Sequence, residues 1–185
     1  MTSIAKDIGS SAMTSRLKKI RSCIGQTIVP HEGALKRLVY ALRHNSSLGL
    51  LVDQHTPISK GGAWLTFFGV PVNVSIAPAV LSRKFNVPIL VAWSRPLKDG
   101  RYKIEFLKRF DPDPNIDDLT RSQEIINLFE KIIRKNPACW ALNYRRWRTI
   151  RPGDSPADYP YYAGKPKSRC CVAQKSVKNS RAPQF

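Results

Sequence analysis

Apolar residues along this chain gather in short bursts between polar loops, and the spacing inside each burst predicts the element it forms. Leu35, Leu38, Val39 and Leu42 recur at helical intervals between Gly33 and Arg43, while Lys36, Arg37 and Arg43 fall on the other side. That is an amphipathic helix, broken by Asn45-Ser46-Ser47. Gln26 to Val29 predicts a short strand before it. Leu48 to Val52 is a continuous apolar run, the pattern of a fully buried strand, and it stops abruptly on Asp53-Gln54. A polar loop from His55 through Gly61-Gly62 leads to a second apolar patch, Trp64 to Phe68, closed by Gly69. Ile76 to Phe85 predicts a helix with Pro78 in its first turn, and Val87 to Trp93 a strand. After the Asp99-Gly100 turn, Tyr102 to Leu107 alternates as a half-buried strand does. Asp111 to Asn115 is a rigid acidic linker; Asp117 or Asp118 then caps a helix reaching Asn136, with Ile125, Phe129, Ile132 and Ile133 facing inward.

Helices and strands alternate, so the fold class is α/β. A length of 185 residues suits one domain with a proper core. Residues 1–15 are small and polar without periodicity, which predicts a flexible N-terminus. Residues 16–150 carry all the periodic segments, and 151–185 are proline-rich, basic and poor in aliphatics, which predicts a disordered tail.

Charge narrows the choice of partner. Thirty-one Lys and Arg stand against 13 Asp and Glu, a net +18, which calls for something anionic: nucleic acid, a phospholipid surface or a phosphorylated substrate. The basic residues are spread out, with no helix-turn-helix, zinc-finger or stacked-aromatic signature, so no specific nucleic acid is expected. No apolar run approaches the roughly 18 to 20 residues of a membrane-spanning helix, and the first residues lack a signal-peptide core. A cytoplasmic chain, peripheral to a membrane surface, is the expectation. Cys23, Cys139, Cys170 and Cys171 form no C-x-x-C pair and have no histidine at ligand spacing; free thiols are expected, with no metal and no cofactor.

The candidate chemistry collects where the apolar runs end. Asp53 closes a core strand, and ligands of open α/β sheets bind at that edge; the other reading is a turn-capping aspartate. Gln54 and His55 stand beside it as candidate substrate contacts, although His55 lacks the partner a general base needs and reads as a polar loop residue. Trp64, Phe67 and Phe68 either line an apolar groove or belong to the core. Tyr144, Arg145, Arg146 and Trp147, in a stretch that interleaves aromatics with arginines, suit either a membrane interface or a solvated helix end.

Taken in order, several segments resemble the late acyltransferases of lipid A biosynthesis, the lauroyl and myristoyl transferases. They are Arg21 with Gly25, Glu32-Gly33-Ala34-Leu35 through Arg43, Asp53-Gln54, and Phe67-Phe68-Gly69. Ala77-Pro78-Ala79 with Leu81, Val87-Pro88-Ile89, Pro137 and Tyr144-Arg145-Arg146-Trp147 complete the series. Cys23 stands where that family has the second arginine of Arg-x-Arg-x-Gly, and Tyr144 where it has the histidine of His-Arg-Arg-Trp. The likeness runs from about Ser15 to Pro152 and covers the carboxyl-terminal part of such enzymes. It implies a glycerol-3-phosphate-acyltransferase-like mixed sheet flanked by helices, incomplete at its amino end. It also implies transfer of a fatty acyl group from acyl carrier protein to a phosphorylated glucosamine lipid at the cytoplasmic face of the inner membrane. Arg21 and Asp53 would then lie at the active site as an ion pair, with Arg21 also open to a lipid phosphate. The family's catalytic pair is a His followed five residues later by Glu or Asp; His31, His44 and His55 are followed at that interval by Lys36, Gly49 and Lys60. On this reading the chain binds but does not turn over alone. The alternative is a non-catalytic basic chain that binds anionic membrane or nucleic acid.

Overall fold

The computed structural model describes residues 1–5, 10–30 and 33–164. His31 and Glu32, and the tail from residue 165 with Cys170 and Cys171, lie outside the described residues.

A small parallel sheet opens the chain. Strand β1 (Thr2–Ala5) lies between β2 (Thr27–Pro30) and β3 (Leu48–Gly49) and runs parallel to both. Parallel neighbours need crossovers, here α1 (Ser11–Ser22) and α2 (Ala34–Arg43). Two expectations change. Thr2 to Ala5, expected to be flexible, is the central strand, because its backbone groups find partners on both sides, a tertiary gain that four mixed residues do not announce. The strand expected over Leu48–Val52 shrinks to Leu48–Gly49; Leu51 is exposed, Leu48 and Leu50 pack half-buried beside Leu38, and Val52 is buried. Helix α2 buries Ala34, Leu38 and Ala41 and leaves Leu35 in solvent, so its inner face is rotated from the expected one.

Two antiparallel hairpins follow. β4 (Gly62–Phe67) pairs with β5 (Val70–Ser75) through a two-residue turn, Phe68-Gly69, with φ of 53° and 78°. Two left-handed residues make the turn that matches strand twist, and glycine takes the second place without strain. Phe68 does not, and it is held there by α4 (Asp118–Lys135): its N–H donates to Glu130 Oε2 at 2.8 Å, and the Arg134 guanidinium lies 4.9 Å over its ring. Gln123 of α4 also pairs with both backbone groups of Thr66, donating to its oxygen and accepting from its N–H, each at 2.8 Å. Helix α4 thus covers an open strand edge. Asp117 caps it, accepting from Leu119 and Thr120 N–H, as expected from sequence.

Helix α3 (Ala77–Phe85) leads to the second hairpin, β6 (Ile89–Pro96) with β7 (Tyr102–Phe110). The main core joins Leu65, Phe67, Val72 and Val74 to Val91, Trp93 and Phe110, beneath Ile125, Ile126 and Ile133 of α4. A smaller cluster packs Val29 and Leu38 on Leu81 of α3. The alternation in β7 is real, yet its phase is reversed: Tyr102, Ile104 and Phe106 face solvent. A register shift between Val91 and Ala92 leaves Phe106 opposite exposed Ala92, on the outer face. Beyond Arg151 the chain, expected to be disordered, is described to Gly164. Tyr159 there is buried and donates to Asp154 while accepting from the Arg151 N–H.

Candidate functional site

The Asp53 loop and the segment after α4 meet over the hairpin turn. Arg146 is 3% exposed, and each of its nitrogens has a partner. Nη2 donates to Asp53 Oδ2 at 2.9 Å and Nε to the Asp53 carbonyl oxygen at 3.1 Å. Nη1 donates to the Ala141 and Tyr144 carbonyls at 2.7 and 3.3 Å. A buried guanidinium is tolerable only with its donors satisfied and an anion in contact, and both conditions hold here. The indole of Trp140 completes the arrangement: its Nε1 donates to Asp53 Oδ2 at 2.9 Å, and the Arg146 guanidinium lies 3.7 Å over its ring.

Under this polar clamp lies an aromatic group. Phe67 meets Trp140 edge-on with ring centroids 5.6 Å apart and stacks with Trp147 at 6.0 Å. Phe68 touches both indoles. His55 extends the junction, with Nε2 2.9 Å from Thr149 Oγ1, and Val74 forms an isolated bridge with it. The loop between is tightly folded. A Cβ on Gly62 would sit 2.0 Å from the Thr56 carbonyl oxygen, so glycine is required.

The residues singled out from sequence fall into three groups. Asp53, His55, Phe67, Phe68, Arg146 and Trp147 come together; Gln54 follows Asp53 on the exposed side. Phe67 is 1% exposed, which makes it core, and Phe68 and Trp147 pack half-buried against it. Trp64 lies half-buried on β4, opposite Asn73. Arg21 stands apart. It lies in the last turn of α1, and the ion pair expected with Asp53 is not made; that carboxylate pairs with Arg146 and Trp140 instead, both through Oδ2. Arg146, expected near lipid headgroups, is turned inward instead; Arg145 is exposed and Tyr144 half-buried. Trp140 and Thr149 were not singled out as contacts from sequence. The interleaved aromatics and arginines marked their segment, but nothing local says which one reaches a loop ninety-three residues earlier.

These elements define an α/β protein in which a loop carboxylate is gripped by a basic aromatic segment. The family model for bacterial lipid A biosynthesis acyltransferases matches residues 1–149, and the chain belongs to that family, whose chemistry is acyl transfer in lipid A assembly. The match starts before Ser15, so β1 and the beginning of α1 are part of the family domain. No curated protein matches the chain. No helix among the described residues is long and apolar enough to cross a membrane.

Proposed function

We propose that this chain forms the acceptor-binding part of a lipid A-type acyltransferase, which takes a fatty acyl group from acyl carrier protein and passes it to a hydroxyl of a phosphorylated lipid. The observation that carries this reading is the convergence of the Asp53-Gln54-His55 loop and the 140–149 segment on one aromatic cluster, in a chain of this family. Asp53 is a positioning residue here. Its Oδ2 is taken by Trp140 and Arg146, and a carboxylate so engaged orients a wall of the site better than it accepts a proton. Gln54 and His55 supply polar contacts at the rim, with Phe68 and Trp64 as apolar contacts for an acyl chain. Arg21 serves a lipid phosphate from α1, with Tyr144 and Arg145 at the membrane side. The chain works peripherally at the cytoplasmic face of the inner membrane, without a cofactor.

Proton removal from the acceptor hydroxyl needs a His with a carboxylate behind it, and the three histidines of this sequence have none at the family interval. The test is direct. The full chain is titrated with acyl-loaded acyl carrier protein and, separately, with a phosphorylated glucosamine lipid, and acyl transfer is then assayed with both present. Salt-sensitive binding of both without transfer is expected. Binding of neither removes the proposal, and turnover by this chain alone removes the dyad requirement.

A further inference from the structure

The sequence from Lys131 to Gly153 contains no acidic residue, and the fold answers only some of its arginines. Arg134 pairs with Glu130, Arg146 with Asp53 and Arg151 with Asp154. Arg145 and Arg148 have no acidic partner among the described residues. A long cation without a partner ordinarily keeps its rotamer freedom in solvent. These two are held. Arg148 Nε donates to the Arg145 carbonyl oxygen at 2.8 Å, and its guanidinium lies 5.1 Å over the Tyr144 ring. The Arg145 guanidinium lies 5.8 Å over Tyr162.

Tyr162 comes from beyond residue 149, where the family match ends. A turn carries it back: the Ala163 N–H donates to the Pro160 carbonyl, and the Gly164 N–H donates to the Arg148 carbonyl at 2.9 Å. Arg148 is thus fastened to residue 145 by its side chain and to residue 164 by its backbone. Both arginines belong to one knot, with Tyr144 and Tyr162 as seats. The bonded Nε of Arg148 leaves its two terminal nitrogens open, and all the donors of Arg145 are open.

The donor set selects the ligand. Two guanidinium groups suit a phosphate, which carries about two negative charges as a monoester and offers three acceptor oxygens. A carboxylate would satisfy only one of them. Single-stranded nucleic acid would need open aromatic faces for its bases. Here Tyr144 lies against both Arg146 and Arg148, each 5.1 Å from its centroid, and Tyr162 against Arg145 and the ring of Tyr161.

We infer that Arg145 and Arg148, seated on Tyr162 and Tyr144, form a binding site for a phosphate monoester. The acyltransferase reading enters only in naming a phosphorylated lipid as one source of that group. The site adds Arg148 and Tyr162 to the residues that face the lipid, and it makes the 159–164 turn part of the binding surface.

Calorimetric titration of the full chain tests this, with dihexanoyl phosphatidic acid below its micelle concentration, dihexanoyl phosphatidylcholine and inorganic phosphate. Phosphatidic acid is expected to bind, and phosphatidylcholine, whose phosphate is capped by choline, to bind about tenfold more weakly. Arg145→Gln/Arg148→Gln should lose about tenfold for phosphatidic acid. Lys36→Gln/Arg37→Gln removes the same charge from exposed positions on α2 and should lose less than about twofold. Equal losses in the two variants would mean diffuse charge and would overturn the site. Arg145→Lys/Arg148→Lys keeps both charges and should still lose about fivefold, because an ammonium lacks the planar fork; native affinity there would also overturn it. So would no binding by the native chain, or binding of oligothymidylate but not phosphatidic acid through these arginines. Tighter binding of phosphatidic acid than of inorganic phosphate supports the site and assigns it to a lipid headgroup; equal binding supports it as a site for phosphate from any source. Acyl carrier protein binding is measured separately, so its retention beside a failed phosphate result sinks this site and leaves the acyltransferase reading standing.

Discussion

Arg146 grips Asp53 twice, by the carboxylate through Nη2 and by the backbone carbonyl through Nε. The double hold fixes the orientation of the loop as well as its position, which a single ion pair on a mobile side chain does not do. Arg146→Ala should therefore strand the Asp53 carboxylate together with the Ala141 and Tyr144 carbonyls, at a cost of about 3 kcal/mol. Arg146→Lys should recover little, since one ammonium cannot replace three donors held in a planar fork. Urea denaturation of both variants and of Asp53→Ala measures this, and a double-mutant cycle should give a coupling above about 1 kcal/mol. Additive losses would mean that the clamp is not cooperative.

How far this was legible in the sequence depends on how local each cause is. Helix α4 was readable to its cap because Asp117, the inward isoleucines and Pro137 all act within a few residues. The amphipathic pattern of α2 was visible, but not its exact rotation: the fold buries Ala34 with Leu38 and Ala41 and leaves Leu35 exposed. Strand β1 depends on pairing with segments far along the chain, and its four residues alone carry no signal. Helix α1 begins inside residues 1–15, a stretch whose small polar residues show no periodicity in sequence. For Asp53, sequence marked the residue and the family but not the partner. Arg21 and Arg146 are chemically equivalent candidates until the fold brings one of them near.

Gly62 offers a sharp test of the loop that carries His55. Its Cβ position is already filled by the Thr56 carbonyl, backbone that cannot swing aside. Gly62→Ala should displace residues 55–57, break the contact of His55 with Thr149, and cost about 2 to 3 kcal/mol. Gly61→Ala, one position earlier with φ of 82° and open space around it, should cost less, since only the left-handed backbone opposes it. Thermal unfolding of the pair ranks them, and the reverse order would contradict the close-approach argument.

The outer face of the second hairpin should govern solubility. Leu90, Tyr102, Ile104 and Phe106 are 54 to 70% exposed, and the register aligns Ile104 with Ser94 and Phe106 with Ala92 on that face. An apolar sheet face of this kind favours association between chains. Phe106→Ser should change stability by less than about 0.5 kcal/mol while lowering light scattering at high protein concentration. Unchanged scattering would mean that this face is not where chains meet.

Tyr159 should pin the end of the described chain across a wide pH range. The Tyr159 hydroxyl first, and Arg151 second, hold the Asp154 carboxyl below its ordinary 3.8. Burial first, and Asp154 second, push the Tyr159 hydroxyl above its ordinary 10.0. The two shifts have opposite consequences. The Asp154 contribution is complete above pH 3.8 and fades as pH falls through its lowered value; the Tyr159 contribution is complete below pH 10.0 and fades as pH rises through its raised value. Because the Arg151 N–H donates to the same phenolic oxygen, protection of that amide against hydrogen exchange reports the pin directly. Protection should be flat between these limits and drop outside them. Tyr159→Phe keeps the ring but removes the oxygen, so the Arg151 amide should lose about tenfold in protection at neutral pH. If protection in the variant matched the native chain, the 151–164 turn would be held by ring packing alone, and the pH limits should vanish with it.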